Sequence, residues 1–326
     1  MGQENKMKVG LIIPPNECGR WQSYCVKDSK PYLLSTGEPY NGPGPQDGMD
    51  NHIFRNIWNR VFLGEEGYFI NPAQGIVDVD LDVVFLVNET QSDPSDFVDV
   101  VRGIYKNAMI IGTTKEDFPM AQGIVRLEKF FNRCDKVALH FKEDDCERIA
   151  KDIGKKVHCL PINYKIEDIR NKFTKSDTPS KKILVGCASW PTPSSRGYDK
   201  CLEFSNYLGD KYGYTIIENP DGRPWYDWLS TINEVDCVIN MDTQRRLGQV
   251  TMESIILGTP HIGGFSDTAL CMMPEWSNNN TDILENVFVS LMEDGYDDKH
   301  YYQKLMDRYG FDSVEKKLKD ILESSE

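Results

Sequence analysis

Short runs of aliphatic and β-branched residues, each closed by turn residues, recur along the whole chain. Segments whose apolar positions repeat every three to four residues lie between them. In the first half the runs are KVGLIIP (8–14), DVVFLV (82–87), AMIIG (108–112), KVALHF (136–141) and KVHCL (156–160). In the second half they are KILVGCA (182–188), YTIIE (214–218), VDCVINM (235–241) and HIG (261–263). Apolar runs without polar alternation suit parallel strands covered on both faces. The helical segments are 96–106, 120–133, 145–155, 199–212, 225–233, 250–257, 299–308 and 313–324. Strands alternating with helices in this way predict a doubly wound α/β architecture.

The alternation breaks twice. Residues 16–74 are rich in Gly, Pro and aromatics (GEPYNGPGPQDG) and poor in strand signals, so they read as a long irregular insertion. Residues 166–181 (IEDIRNKFTKSDTPSK) are polar, carry Ser, Thr and Pro, and run into a new buried strand; they read as an interdomain linker. The organisation predicted is therefore two Rossmann-like domains, 1–165 and 182–298, facing a cleft. Residues 299–326 add terminal helices, with Tyr302, Leu305, Tyr309, Val314, Leu318, Ile321 and Leu322 at helical spacing. They are expected to cross back onto the first domain.

Charge and cysteine usage narrow the setting. Among 326 residues, 37 Lys and Arg face 51 Asp and Glu, a net charge of −14. A field of that sign repels phosphate backbones and argues against a nucleic-acid partner, unless Arg20, Lys27, Lys30, Arg55 and Arg60 gather into a local patch. The nine cysteines contain no C-x-x-C pair and often sit inside apolar strands, which predicts reduced, buried thiols. No apolar run approaches the roughly 20 residues of a membrane helix, and the first residues lack a signal-peptide pattern. The expectation is a cytoplasmic protein without a transmembrane segment.

The richest chemistry lies in 225–264, WYDWLSTINEVDCVINMDTQRRLGQVTMESIILGTPHIGG. A buried strand leads through a loop to a helix opening at Gly248, where Gln249, Val250 and Thr251 present unbonded backbone N–H groups. Such a helix start attracts anions, and Gly248 lets a ligand approach the backbone. Glu253, one turn in, is placed to accept hydrogen bonds from the vicinal hydroxyls of a ribose. Its bland alternative is a carboxylate that only complements the helix dipole. Metal-ligand spacings are missing, and Asp78-Val79-Asp80 reads as a strand entry; the sequence predicts no metal.

The serial order of VDCVINMD, GQVTMES and ILGTPHIGG resembles the second domain of GT-B glycosyltransferases, in particular the retaining family-4-like and glycogen-synthase-like group. KILVGCASWPTPSSRGYDK (182–200) resembles that domain's first strand and following helix, and HCLPIN (158–163) the segment before the linker. The resemblance implies a metal-independent enzyme that moves a sugar from a nucleotide-sugar donor, its co-substrate in place of a cofactor, to an acceptor. It places Glu253 on the donor ribose, and Gly248–Thr251 with Arg196, Lys200 and Arg246 on the diphosphate. Tyr226 is placed on the base, whereas Trp228 is read as packing its helix. Arg245 stands where the family has an acidic residue near the donor sugar and is the catalytic candidate beside His140. In the first domain Gly19 and Arg20, after the first strand, and Asp117 are candidates for phosphate or acceptor. Three alternatives stay open: a catalytically inactive GT-B-like scaffold, a sugar-nucleotide epimerase, and a phage-type DNA base glycosyltransferase.

Overall fold

A computed structural model describes residues 8–12, 32–33, 67–70, 80–88, 95–114, 127–161, 164, 166–176, 178–187, 197–218, 225–243 and 248–324. The chain divides into two compact units, Met1–Tyr164 with Phe311–Glu326, and Lys165–Gly310.

The first unit is built on a sheet of order β2-β3-β1-β4-β5-β6-β7. Its strands are β1 (Val9–Ile12), β2 (Tyr32–Leu33), β3 (Gly67–Ile70), β4 (Val83–Asn88), β5 (Met109–Thr114), β6 (Lys136–Leu139) and β7 (His158–Cys159). All pair in parallel except β2, which runs antiparallel to β3; Val9 lies opposite Val83, and Val83 opposite Met109. Strands β2 and β3 fall inside 16–74, a segment poor in strand signals and read as irregular. They correct that reading: GYFI is too short to carry a period, and β2 holds only two residues. Helices α1 (Ser95–Ile104), α2 (Glu128–Arg133) and α3 (Glu143–Ile153) set Val98, Val101, Phe130, Phe131, Cys146 and Ile149 against Val84, Leu86, Ile110 and Val137. Since β1 sits between β3 and β4, the chain reverses its direction of winding there, as doubly wound folds do at their ligand-binding switch point.

The second unit begins with α4 (Ile166–Lys172), which occupies the first half of the expected linker and buries Ile166 and Ile169. Its sheet, of order β11-β10-β8-β9, is wholly parallel: β8 (Lys182–Val185), β9 (Thr215–Ile217), β10 (Cys237–Ile239) and β11 (His261–Ile262). Around it run α5 (Tyr198–Tyr212), α6 (Trp225–Asn233), α7 (Gln249–Ile256), α8 (Asp267–Met272), α9 (Thr281–Asp294) and α10 (Asp298–Tyr309). On one face Ile183, Val185, Cys237 and Ile239 meet Cys201, Phe204 and Leu208 of α5 and Leu284, Phe288 and Leu291 of α9. The crossovers β8–α5–β9 and β10–α7–β11 run in opposite directions from the sheet centre, so right-handed winding puts α5 and α7 on opposite faces. The switch point is the gap between β8 and β10.

The terminal helices divide between the units. Helix α10 stays in the second, with Tyr301, Leu305 and Tyr309 buried. The last helix, α11 (Phe311–Glu323), belongs to the first and buries Val314, Leu318 and Ile321. Its C-terminal carbonyls are met by the buried ammonium of Lys136 on β6, which donates to Ile321 and, at 2.6 Å, to Ser324. The described cysteines are free thiols, all buried except Cys159 and Cys271, which are half-buried. No helix among the described residues is long and apolar enough to cross a membrane.

Candidate functional site

The carboxyl edge of the second sheet carries Gly197, Lys200, Gly248 and Glu253. Two helices start there on glycines in the left-handed region, Gly197 (φ 68°) before α5 and Gly248 (φ 90°) before α7. A Cβ at Gly197 would run into the Met241 carbonyl oxygen at the end of β10, so α5 opens at the switch point itself. A Cβ at Gly248 would strike the Ser266 hydroxyl. Neither start has a side-chain cap, whereas α8, α9 and α10 are capped by Ser266, Asn280 and Asp297. Uncapped first-turn N–H groups are donors in want of an acceptor, and the helix dipole adds to their pull on an anion. Lys200, exposed on the first turn of α5, adds a cation at one of these starts.

Glu253 is fully buried, and both of its carboxylate oxygens are engaged. The indole N–H of Trp228 donates to Oε2 at 2.7 Å, and the Gln249 side-chain amide donates to Oε1 at 3.0 Å. A buried carboxylate needs such donors, because stripping it of water costs several kcal/mol otherwise. Trp228 does more than pack its helix: it is half-buried on α6 and reaches across to α7. No local sequence signal marks that contact, since the two residues lie 25 apart.

Beneath α7 sits a second polar group. Thr251 Oγ1 lies 3.3 Å from His261 Nε2 on β11 and 3.2 Å from Ser266 Oγ, which also accepts from the Ala269 N–H. Burial pushes the His261 imidazole down to about 3, so it stays neutral near pH 7. Thr251 therefore looks into the protein as well as supplying a backbone N–H. At the other end of α7, Arg170 donates to the Ile256 carbonyl at 2.7 Å and pairs with Asp298. The helix carrying Glu253 is thus held at both termini.

Tyr226 is exposed at the start of α6, with the Lys172 ammonium 3.2 Å from its ring centroid. One face of the ring is covered by that cation, leaving at most the other for a base. At the edge strand, Tyr198 OH donates to Glu218 at 2.6 Å and ties the start of α5 to the end of β9. Val250 is half-buried. Arg196, Arg245 and Arg246 lie outside the described residues, as do Gly19, Arg20 and Asp117 of the first unit.

His140 follows β6 at the carboxyl edge of the first sheet. It is buried, its ring 4.6 Å from that of Phe141, and burial lowers it to about 4 against a hydrogen bond to the Thr114 backbone. An imidazole in this setting is neutral and fixed to main chain. Among the described residues no cluster of His, Cys, Asp or Glu has the makings of a metal site.

No protein-family model and no curated protein matches the sequence. Solved structures do. A point mutant of S. aureus TarM, determined in complex with fondaparinux, alpha-GlcNAc-glycerol and UDP, superposes with a TM-score of 0.54 at 11% identity, over 74% of this chain and 55% of TarM. The trehalose-6-phosphate synthase OtsA gives 0.54 at 10% identity, over 74% of this chain and 72% of OtsA. The N-terminal domain of Candida albicans trehalose-6-phosphate phosphatase gives 0.53 at 13%, over 76% and 71%. The fold is GT-B. Its two Rossmann-like domains are the two units described above, and this chain spans little more than half the length of TarM. In GT-B terms, the edge bearing Gly197, Gly248 and Glu253 belongs to the second Rossmann-like domain.

Proposed function

We propose that the protein is a glycosyltransferase that takes a sugar from a nucleotide-sugar donor, with the donor held by the second unit. The observation that carries the reading is the pairing, at the switch edge of a GT-B fold, of two uncapped glycine-started helices with the buried carboxylate of Glu253. The structure of TarM, which has this fold, contains UDP. In this reading Glu253 accepts from the ribose hydroxyls. The N–H groups opening α5 and α7, with Lys200 and Arg196, take the diphosphate, and Arg246 stands beside α7.

The chemistry follows from those charges. The bond between the sugar's anomeric carbon and the diphosphate oxygen breaks, and negative charge grows on the departing oxygens. Fixed N–H donors and cations stabilise that charge more than they stabilise the ground state, and metal is not needed for it. The oxygen of an acceptor hydroxyl then bonds to the anomeric carbon, and its proton passes to the departing diphosphate. The acceptor is assigned to the first unit and residues 16–74. Cofactor chemistry has no part in the proposal, and nucleic acid is not proposed as the acceptor.

The test is calorimetric titration of the purified protein with UDP, ADP, GDP and their sugars, followed by chromatography of turnover products. At least one nucleotide should bind, and Glu253→Ala should weaken it by about ten- to hundredfold, the worth of charged hydrogen bonds. A protein that binds none of them, or a Glu253→Ala variant that binds like wild type, overturns the site. Free nucleoside diphosphate among the products marks transfer or donor hydrolysis; an altered nucleotide sugar would mark epimerisation instead.

A further inference from the structure

We propose that Asn240 is a binding residue for the nucleotide: its side-chain NH2 donates a hydrogen bond to a phosphoryl oxygen of the diphosphate at the switch edge. The inference rests on reading that edge as a nucleotide site. It adds a residue that stands on the strand end rather than on either helix start, and it assigns that residue the phosphate part of the ligand.

Asn240 follows β10 directly, and its side chain meets the end of β8 across the gap where the second sheet reverses its winding. The thiol of Cys187, two residues beyond β8, donates to Asn240 Oδ1 at 3.1 Å. The Asp242 backbone N–H donates to the same oxygen at 2.9 Å. A backbone N–H can only donate, so this contact fixes which end of the amide is oxygen and which is Nδ2. The residue is only 8% exposed, yet no acceptor among the described residues meets Nδ2. A donor so nearly out of water needs an acceptor that the protein does not supply. Gly197, whose missing Cβ makes room for the Met241 carbonyl, brings the uncapped start of α5 alongside the next residue of the strand end.

The chemistry selects the ligand group. An amide NH2 donates and cannot accept, so it excludes a metal ion or an ammonium group and takes an acceptor oxygen. Its neighbours at this edge, the N–H groups opening α5 and α7, are donors too, and they favour negative charge. A diphosphate offers several charged oxygens at once, and a hydrogen bond to a charged oxygen is the stronger kind. The carboxylate of Glu253 has the opposite character, an acceptor suited to the ribose hydroxyls.

The experiment titrates wild type, Asn240→Ser and Asn240→Asp with UDP, ADP, GDP and inorganic pyrophosphate by calorimetry, with melting temperatures as the folding control. Both variants keep an oxygen able to accept from the Asp242 N–H, and both lose the NH2. For whichever nucleotide wild type binds, Asn240→Ser should lose about tenfold or more in affinity, the worth of one hydrogen bond to a charged group. Asn240→Asp should lose more still, because its carboxylate repels the phosphates. A merely structural role predicts the reverse order, since aspartate is the closer mimic and keeps both bonds made inside the protein. Pyrophosphate, which has neither ribose nor base, should bind wild type and be weakened in step with the nucleotide. Glu253→Ala should leave pyrophosphate binding as in wild type. Unchanged nucleotide affinity in Asn240→Ser, or a milder loss in Asn240→Asp than in Asn240→Ser, overturns the proposal; the first decides even if Asn240→Asp fails to fold. Pyrophosphate that does not bind, or binds Asn240→Ser like wild type, overturns the assignment to phosphate. Wild-type protein that binds no nucleotide removes the site reading, and this inference with it.

Discussion

At the scale of single residues, the two histidines buried among the described residues make a prediction that does not depend on the ligand. His140 in the first unit and His261 in the second are each held neutral by burial, at about 4 and about 3 against an ordinary 6.5. Below pH 6.5 the unfolded chain takes up protons that these two side chains refuse in the fold. Stability therefore falls as pH falls, from about 6.5 down to about 4 for His140 and about 3 for His261. By pH 5 each should have withdrawn about 1–2 kcal/mol. Urea unfolding at pH 7.5 and pH 5 measures the loss, and His140→Gln and His261→Gln should each flatten it. Variants that keep the full pH slope would show that other groups are responsible. The same burial bears on His140 as a catalytic candidate: a neutral imidazole bonded to the Thr114 backbone is a poor proton carrier until something moves it.

At the scale of elements, α7 decides how well the site is built. Its N-terminus rests on the Thr251, His261 and Ser266 group, and its C-terminus on Arg170. Arg170→Met keeps the apolar stem and removes the hydrogen bond to the Ile256 carbonyl and the pairing with Asp298. It should cost about 1–2 kcal/mol, since the pair is partly exposed. Denaturant unfolding would read the loss, and an unchanged midpoint would show that α7 holds its end without Arg170. The role of Arg170 also explains what was hidden in the polar segment 166–181. Ile166, Ile169 and Arg170 form a helix there because they dock on their own unit, which no local pattern over seven residues announces. Strands with four or more aliphatic residues were legible, because a parallel sheet buries both faces. Helix α9 is not among the helical segments read from the sequence, although Asn280 is its N-cap, accepting from the N–H groups of Asp282 and Ile283. Of the candidate site, Gly248 and Glu253 carried local signals. Trp228 did not, because its part in the site is a contact between helices.

At the scale of the whole molecule, the chain ends in the unit where it began. Helix α11 follows Gly310 directly from the second unit, yet it belongs to the first, where Lys136 of β6 donates to its last carbonyls. Two forces hold it. Val314, Leu318 and Ile321 bury their side chains, worth about 5 kcal/mol together. Lys136 then places a buried ammonium against the last carbonyls, where the helix dipole is negative and acceptors are unsatisfied. Removing residues 311–326 withdraws both, and exposes to water the side of the first unit around Lys136 that α11 covers. The damage should therefore appear far from the cut in sequence. Hydrogen exchange followed by mass spectrometry should show faster exchange across β6 and α3, residues 136–153, in the truncated chain. Peptides from 182–262 should keep their protection. Lys136→Met should reproduce a milder form of the same pattern, because it removes the ammonium and leaves the apolar contacts. If the truncated chain instead loses protection first in the second unit, α11 supports that unit and its assignment to the first is wrong.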